Sequence, residues 1–227
     1  SLRFRKMAGG SSESDEDGAW QTGGEKTLDR REFHMPHAGA TLHISQGALS
    51  HTTWSTGAGT VVWEAADATV RHLDTSFAPN GLRGKRVVEL GAGTGVCGIA
   101  CAALGATVVL TDLPEVLPIA KSNAAASPWH ERISVQPLNW ADAAVPDALT
   151  CADLVVACDC IYQPAAYGAL ASVLAALSSP CLIAWRPRGK READFLAQVT
   201  TAFALERVAH AQERETSLAW LRPVDAN

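Results

Sequence analysis

Arg86-Val87-Val88-Glu89-Leu90-Gly91-Ala92-Gly93-Thr94-Gly95-Val96-Cys97-Gly98 is the stretch on which the reading of this chain turns. Its first five residues carry the β-branched, apolar pattern of a strand. Glycines then recur at every second position directly off that strand. They allow a sharp turn and let a ligand approach the main chain at the start of the next helix. Downstream, strand patterns follow at 107–111, 133–137, 153–158, 181–185, 204–209 and 217–221. Helix-sized segments at 95–104, 114–126, 141–149, 164–178 and 190–202 separate most of them. This alternation predicts βαβ units in a doubly wound, mostly parallel α/β sheet of seven strands, covered on both faces. The last two strands have only a short connection, which predicts an antiparallel hairpin at one edge.

Upstream, residues 1–30 are small, polar and acidic, with Glu13, Asp15, Glu16 and Asp17 among glycines and serines. Such a segment buries too little apolar surface to offset the entropy of ordering it, so a disordered acidic tail is expected there, and one domain over 31–227. Thr41 to Gln46 alternates as an edge strand or hairpin does. Val61-Val62-Trp63 leads into a helix predicted over 64–73, with Ala66, Val70 and Leu73 on one side.

The chain has 227 residues, 47% of them hydrophobic, with 19 Lys+Arg against 24 Asp+Glu and a net charge of −5. That length suffices for one buried core. No apolar run reaches the ~18 residues that a membrane span needs. A mildly acidic chain without a basic block argues against nucleic acid as a partner. The six cysteines lie mostly within apolar stretches, as buried reduced thiols do, which points to a reducing, cytoplasmic or nuclear setting. No spacing resembles a zinc site, so no metal is expected.

Two ligands compete for the glycine loop. Gly93-x-Gly95-x-x-Gly98 matches the dinucleotide fingerprint, with Asp112 about 20 residues on where a ribose-binding acid belongs. Yet the glycines begin at Gly91, with Glu89 two residues before. A carboxylate there repels a pyrophosphate but suits a ligand carrying an ammonium and a sulfonium, as S-adenosylmethionine does. Asp112 serves either ligand through the ribose hydroxyls.

Glu89-Leu90-Gly91-Ala92-Gly93-Thr94-Gly95, Val109-Leu110-Thr111-Asp112 and Leu117-Pro118-Ile119-Ala120-Lys121-Ser122-Asn123 together resemble the methyltransferase-like family 16/21, whose members methylate lysine in non-histone proteins. Val62-Trp63-Glu64-Ala65-Ala66 resembles the family's Val-Trp-Asp-Ala-Ala, Leu138-Asn139-Trp140 its Leu-Asp-Trp, and Asp159-Cys160-Ile161-Tyr162 its Asp-x-x-Tyr. The resemblance spans roughly 40–200 and implies a seven-stranded, Rossmann-like methyltransferase domain using S-adenosylmethionine. It implies cofactor contacts from Trp63, Glu89, Gly91, Gly93, Gly95, Asp112, Asn139, Trp140 and Cys158. Trp140 would pack on the adenine and Trp63 close over the cofactor. Asn139 stands where the family often has Asp.

By the same resemblance Asp159 and Tyr162 are the catalytic pair, facing a lysine side chain of a protein substrate such as a chaperone or a translation elongation factor. Asn123 reads as structural. Arg188 matches a family arginine or is a solvated loop charge. A monomer is expected. Rival readings are a small-molecule or protein-histidine methyltransferase on the same cofactor site, an NAD-dependent oxidoreductase, and a non-catalytic adaptor.

Overall fold

The computed structural model describes residues 29–47, 58–142, 144–187, 191–208 and 216–224. Nearly all of the expected acidic tail, and Arg188, lie outside them. The first described elements are β1 (Arg30–Met35) and β2 (Ala40–Ser45), an antiparallel hairpin with Phe33 opposite Leu42. Strict alternation turns Phe33, Met35, Leu42 and Ile44 inward and Glu32, His34 and His43 outward. The hairpin rests on α1 (Glu64–Phe77), which runs one turn beyond the predicted helix.

The strands predicted downstream form one sheet: β3 (Arg86–Leu90), β4 (Thr107–Asp112), β5 (Ile133–Pro137), β6 (Leu154–Cys158), β7 (Cys181–Trp185), β8 (Phe203–Arg207) and β9 (Ser217–Pro223). Their order is β5-β4-β3-β6-β7-β9-β8. The first five are parallel, and β9 runs antiparallel between β7 and β8. Order reverses between β3 and β6, and the crevice beyond such a reversal is where open α/β sheets take ligands.

Successive strand residues feed opposite faces. Val87 and Val156 join a core with β1, β2, α1 and α2 (Val96–Ala103), while Val88 and Val155 join one with α4 (Tyr167–Leu177) and α5 (Arg191–Val199). The helix α3 (Leu117–Ala126) starts later than its predicted 114, with Pro118 in its first turn. The helix predicted over 141–149 does not form. Among the described residues this stretch holds a single short 3-10 turn, Asp147–Leu149, preceded by Pro146. A proline in a helix interior removes an N–H and clashes with the preceding turn, which outweighs the alanines around it.

Candidate active site

The loop leaving β3 is left-handed at each alternate residue, with φ of +61° at Gly91, +54° at Gly93 and +82° at Gly95. Space as well as φ excludes side chains here. A Cβ on Gly91 would lie 2.9 Å from Cys160 Sγ and 3.2 Å from Trp140 Cζ2, and one on Gly93 2.9 Å from the Gly59 carbonyl oxygen. Gly98 faces a different constraint: its Cβ would collide with Leu110 on β4 and come 2.7 Å from Glu89 Oε2. It is a packing glycine that seats α2 on the sheet, so it adds nothing to a pyrophosphate reading.

Asp112 ends β4 and is tied to the same loop. Its Oδ2 accepts the Gly93 N–H at 2.8 Å and its Oδ1 the Leu113 N–H at 2.7 Å. Burial raises its pKa, opposed by those two bonds. Glu89 is 2% exposed, and its Oε2 accepts the Gly98 N–H at 2.7 Å. Burial pushes its carboxyl up to about 8, against the pull of the Gly98 and Cys97 N–H groups, with the Asp112 charge adding to the rise.

A cavity of about 360 Å³ opens at the switch point. Trp63, Glu89, Gly91, Gly93, Asp112, Asn139, Trp140, Cys158, Asp159 and Tyr162 all line it. Of the predicted site residues only Gly95 stays out of the walls, serving instead as the left-handed N-cap of α2. Asn139 also closes a local turn, its Oδ1 accepting the Ala141 N–H at 3.1 Å and its Nδ2 donating to Asp142 at 3.2 Å. Cys158 is half-buried and takes the Thr69 hydroxyl at 3.6 Å. Hydrogen bonding to Cys158, then burial, raises the pKa of the Cys97 thiol.

Asp159 leaves β6 with φ +54° although it carries a side chain. The adjoining strand clamps it: its N–H donates to the Ala184 carbonyl at 2.7 Å and its Oδ1 accepts the Arg186 N–H at 3.4 Å. Asn123 is buried and engaged on every side by backbone, as a structural residue would be. Sequence reasoning missed the segment of Gly59, Val61 and Val62, which also lines the cavity, and the small wall of Ala165, Ala166 and Ala169. None of these carries a functional group that would mark it.

The cavity suits S-adenosylmethionine. Backbone bared by Gly91 and Gly93 gives a close cradle, the half-buried Trp140 ring beside Gly91 offers a flat apolar face, and Asp112 presents acceptors to a ribose diol.

Residues 45–202 match the profile of a family described as lysine methyltransferase. The chain is 32% identical over 194 residues to the protein N-lysine methyltransferase METTL21A of Mus musculus, covering 83% of this chain and 88% of that protein. It is 31% identical to the Danio rerio counterpart, covering 81% and 86%. Over 96 residues, 42% of this chain and 40% of the relative, it is 36% identical to EEF1A lysine methyltransferase 3 of Xenopus tropicalis. The fold matches a putative S-adenosylmethionine-dependent methyltransferase of Methanococcus maripaludis at TM-score 0.57 and 14% identity, over 72% and 88% of the two chains. It also matches the magnesium protoporphyrin IX methyltransferase of Synechocystis, solved with bound SAH, at TM-score 0.54 and 16% identity, over 78% and 90%. The chain therefore belongs to the lysine methyltransferase family, with S-adenosylmethionine as its methyl donor.

Proposed function

We propose that this enzyme methylates a lysine side chain of a non-histone protein of the chaperone or translation-factor class, with Asp159 and Tyr162 framing the amine. The observation that carries this reading is convergence. The loop after β3 and the strained Asp159 after β6, on adjacent parallel strands, open into one cavity together with Tyr162. Relatives that match most of the chain are named as protein N-lysine methyltransferases, and a partial match is named for EEF1A.

S-adenosylmethionine, when bound, supplies a methyl group on a positively charged sulfur. Gly91, Gly93, Asp112 and Trp140 would hold it, with Glu89 beneath, Cys158 alongside and Trp63 as a wall. The chain's remaining task is to present a neutral amine in line. A free lysine has a pKa of about 10.4 and arrives charged. A slot walled by Tyr162 and the alanines of α4 and the turn before it strips water from the ammonium and disfavours its charge. The Asp159 carboxylate accepts a hydrogen bond from the amine and orients it. Acting alone it would stabilise the ammonium, so its assigned role is orientation, with the proton lost to water.

Radiolabelled methyl transfer to elongation factor 1A and to lysate proteins, followed by mass mapping of the modified side chain, tests this. Label on lysine that disappears with Asp159→Ala, while cofactor binding persists, is expected. Label on histidine, or on small molecules alone, would refute it. The thiols support a reducing cytoplasmic setting, and no helix among the described residues is long and apolar enough to cross a membrane.

A further inference from the structure

The front wall of the cavity hangs from the N-terminal hairpin. Asn123, on α3, donates from Nδ2 to the Thr94 carbonyl in the glycine loop at 2.9 Å and to the Ser45 carbonyl at 3.0 Å. It also accepts the Ser45 N–H at 2.9 Å. The end of β2 is thereby fixed to the loop. One residue on, buried Gln46 accepts the Val62 N–H through Oε1 at 2.7 Å, and the Gly47 N–H donates to the Thr60 carbonyl at 2.8 Å.

The suspended segment crosses the loop. Gly59's carbonyl stands against Gly93, and Val61, Val62 and Trp63 face the cavity. A wall without a sheet ladder of its own needs such bonds to hold its height, and a preformed wall spares binding the cost of ordering it.

We propose that Gln46 is a positioning residue for the cofactor, acting through Val62 to hold the strap 59–63, and with it Trp63, over the glycine loop. This rests on the assignment of the cavity to S-adenosylmethionine. The hairpin is thus part of the binding machinery rather than a cover for α1.

Calorimetric titration with S-adenosylhomocysteine, paired with melting of the unliganded chain, separates the outcomes. Gln46→Leu is expected to weaken binding about tenfold, equivalent to about 1.4 kcal/mol. Its melting temperature should fall by about 2–4 °C, as for the loss of one buried hydrogen bond in a chain of this size. Combined with Trp63→Ala, Gln46→Leu should add little, since both act on one wall. Unchanged affinity with a lowered melting temperature would make Gln46 merely structural and overturn the proposal. So would full additivity with Trp63→Ala. A parent chain that binds no S-adenosylhomocysteine would instead overturn the assignment of the cavity, and the proposal with it.

Discussion

At Asp159 the backbone sits at φ +54°, where a residue with a Cβ bears strain on the order of 1–3 kcal/mol. Two bonds, one to Ala184 in β7 and one from Arg186 just after it, hold it there, so the surrounding sheet sustains a conformation that the residue alone would leave. Asparagine tolerates the left-handed region. Asp159→Asn is therefore expected to melt within a few degrees of the parent and to bind S-adenosylhomocysteine equally well. Its turnover should fall about a hundredfold, the scale of a misplaced reactant. Full turnover would remove Asp159 from the proposed mechanism. Asp112 is assigned by our proposal to the cofactor. Asp112→Ala leaves the Gly93 and Leu113 N–H groups without their acceptor and takes away the diol's, so calorimetry should show at least a tenfold loss of cofactor affinity, about 1.4 kcal/mol.

The helix α2 meets the sheet through a glycine on one side and a buried carboxylate on the other. Gly98→Ala would push against Leu110 and Glu89, two residues that neighbouring strands hold in place. A loss of about 1–3 kcal/mol in urea-unfolding stability is expected, as for other overpacked sites. Glu89 sets a pH dependence. Its folded pKa of about 8 lies above the unfolded 4.5, because burial disfavours the charge. The stability it contributes is complete below pH 4.5 and is lost as pH climbs through 8. Glu89→Gln cannot ionise, so its unfolding free energy should decline less than the parent's between pH 5 and 9, by a few kcal/mol. Parallel curves would show that the carboxyl is not buried in solution as it is here.

Across the whole molecule, His72 reports on the seam between α1 and the antiparallel edge. Its ring meets Trp220 of β9 edge-on at 6.0 Å, and among the described residues its Nε2 is buried without a hydrogen-bond partner. Burial lowers its pKa below the ordinary 6.5. The unfolded chain then takes up a proton first, so stability falls as pH drops through 6.5. His72→Gln should flatten that acid limb in thermal melts while leaving the alkaline limb set by Glu89. An unchanged acid limb would assign the loss to other groups.

How much of this was legible depends on the range of the interaction. Strand–helix alternation is a local signal, and the strands from β3 to β9 lie within a residue or two of the apolar runs that predicted them. The glycine loop was equally plain, because a turn that must bare its backbone has few residues to choose from. A local signal also misled: the alanines at 141–149 read as a helix, and Pro146 prevented it. What lay outside sequence reading was everything set by contact between distant segments. Gly98 matches a dinucleotide pattern by spacing and is a packing residue by position. Gln46 and Asn123 are ordinary amides until folding brings them to Val62 and Thr94, 16 and 29 residues away. The sequence by itself determined the sheet, its loop and the family, since periodicity and glycine placement act within a few residues. Only the tertiary structure decided that Glu89 is buried under the loop, that Asp159 is strained, and that the N-terminal hairpin holds the front of the site, because each depends on which backbone groups meet in the folded core.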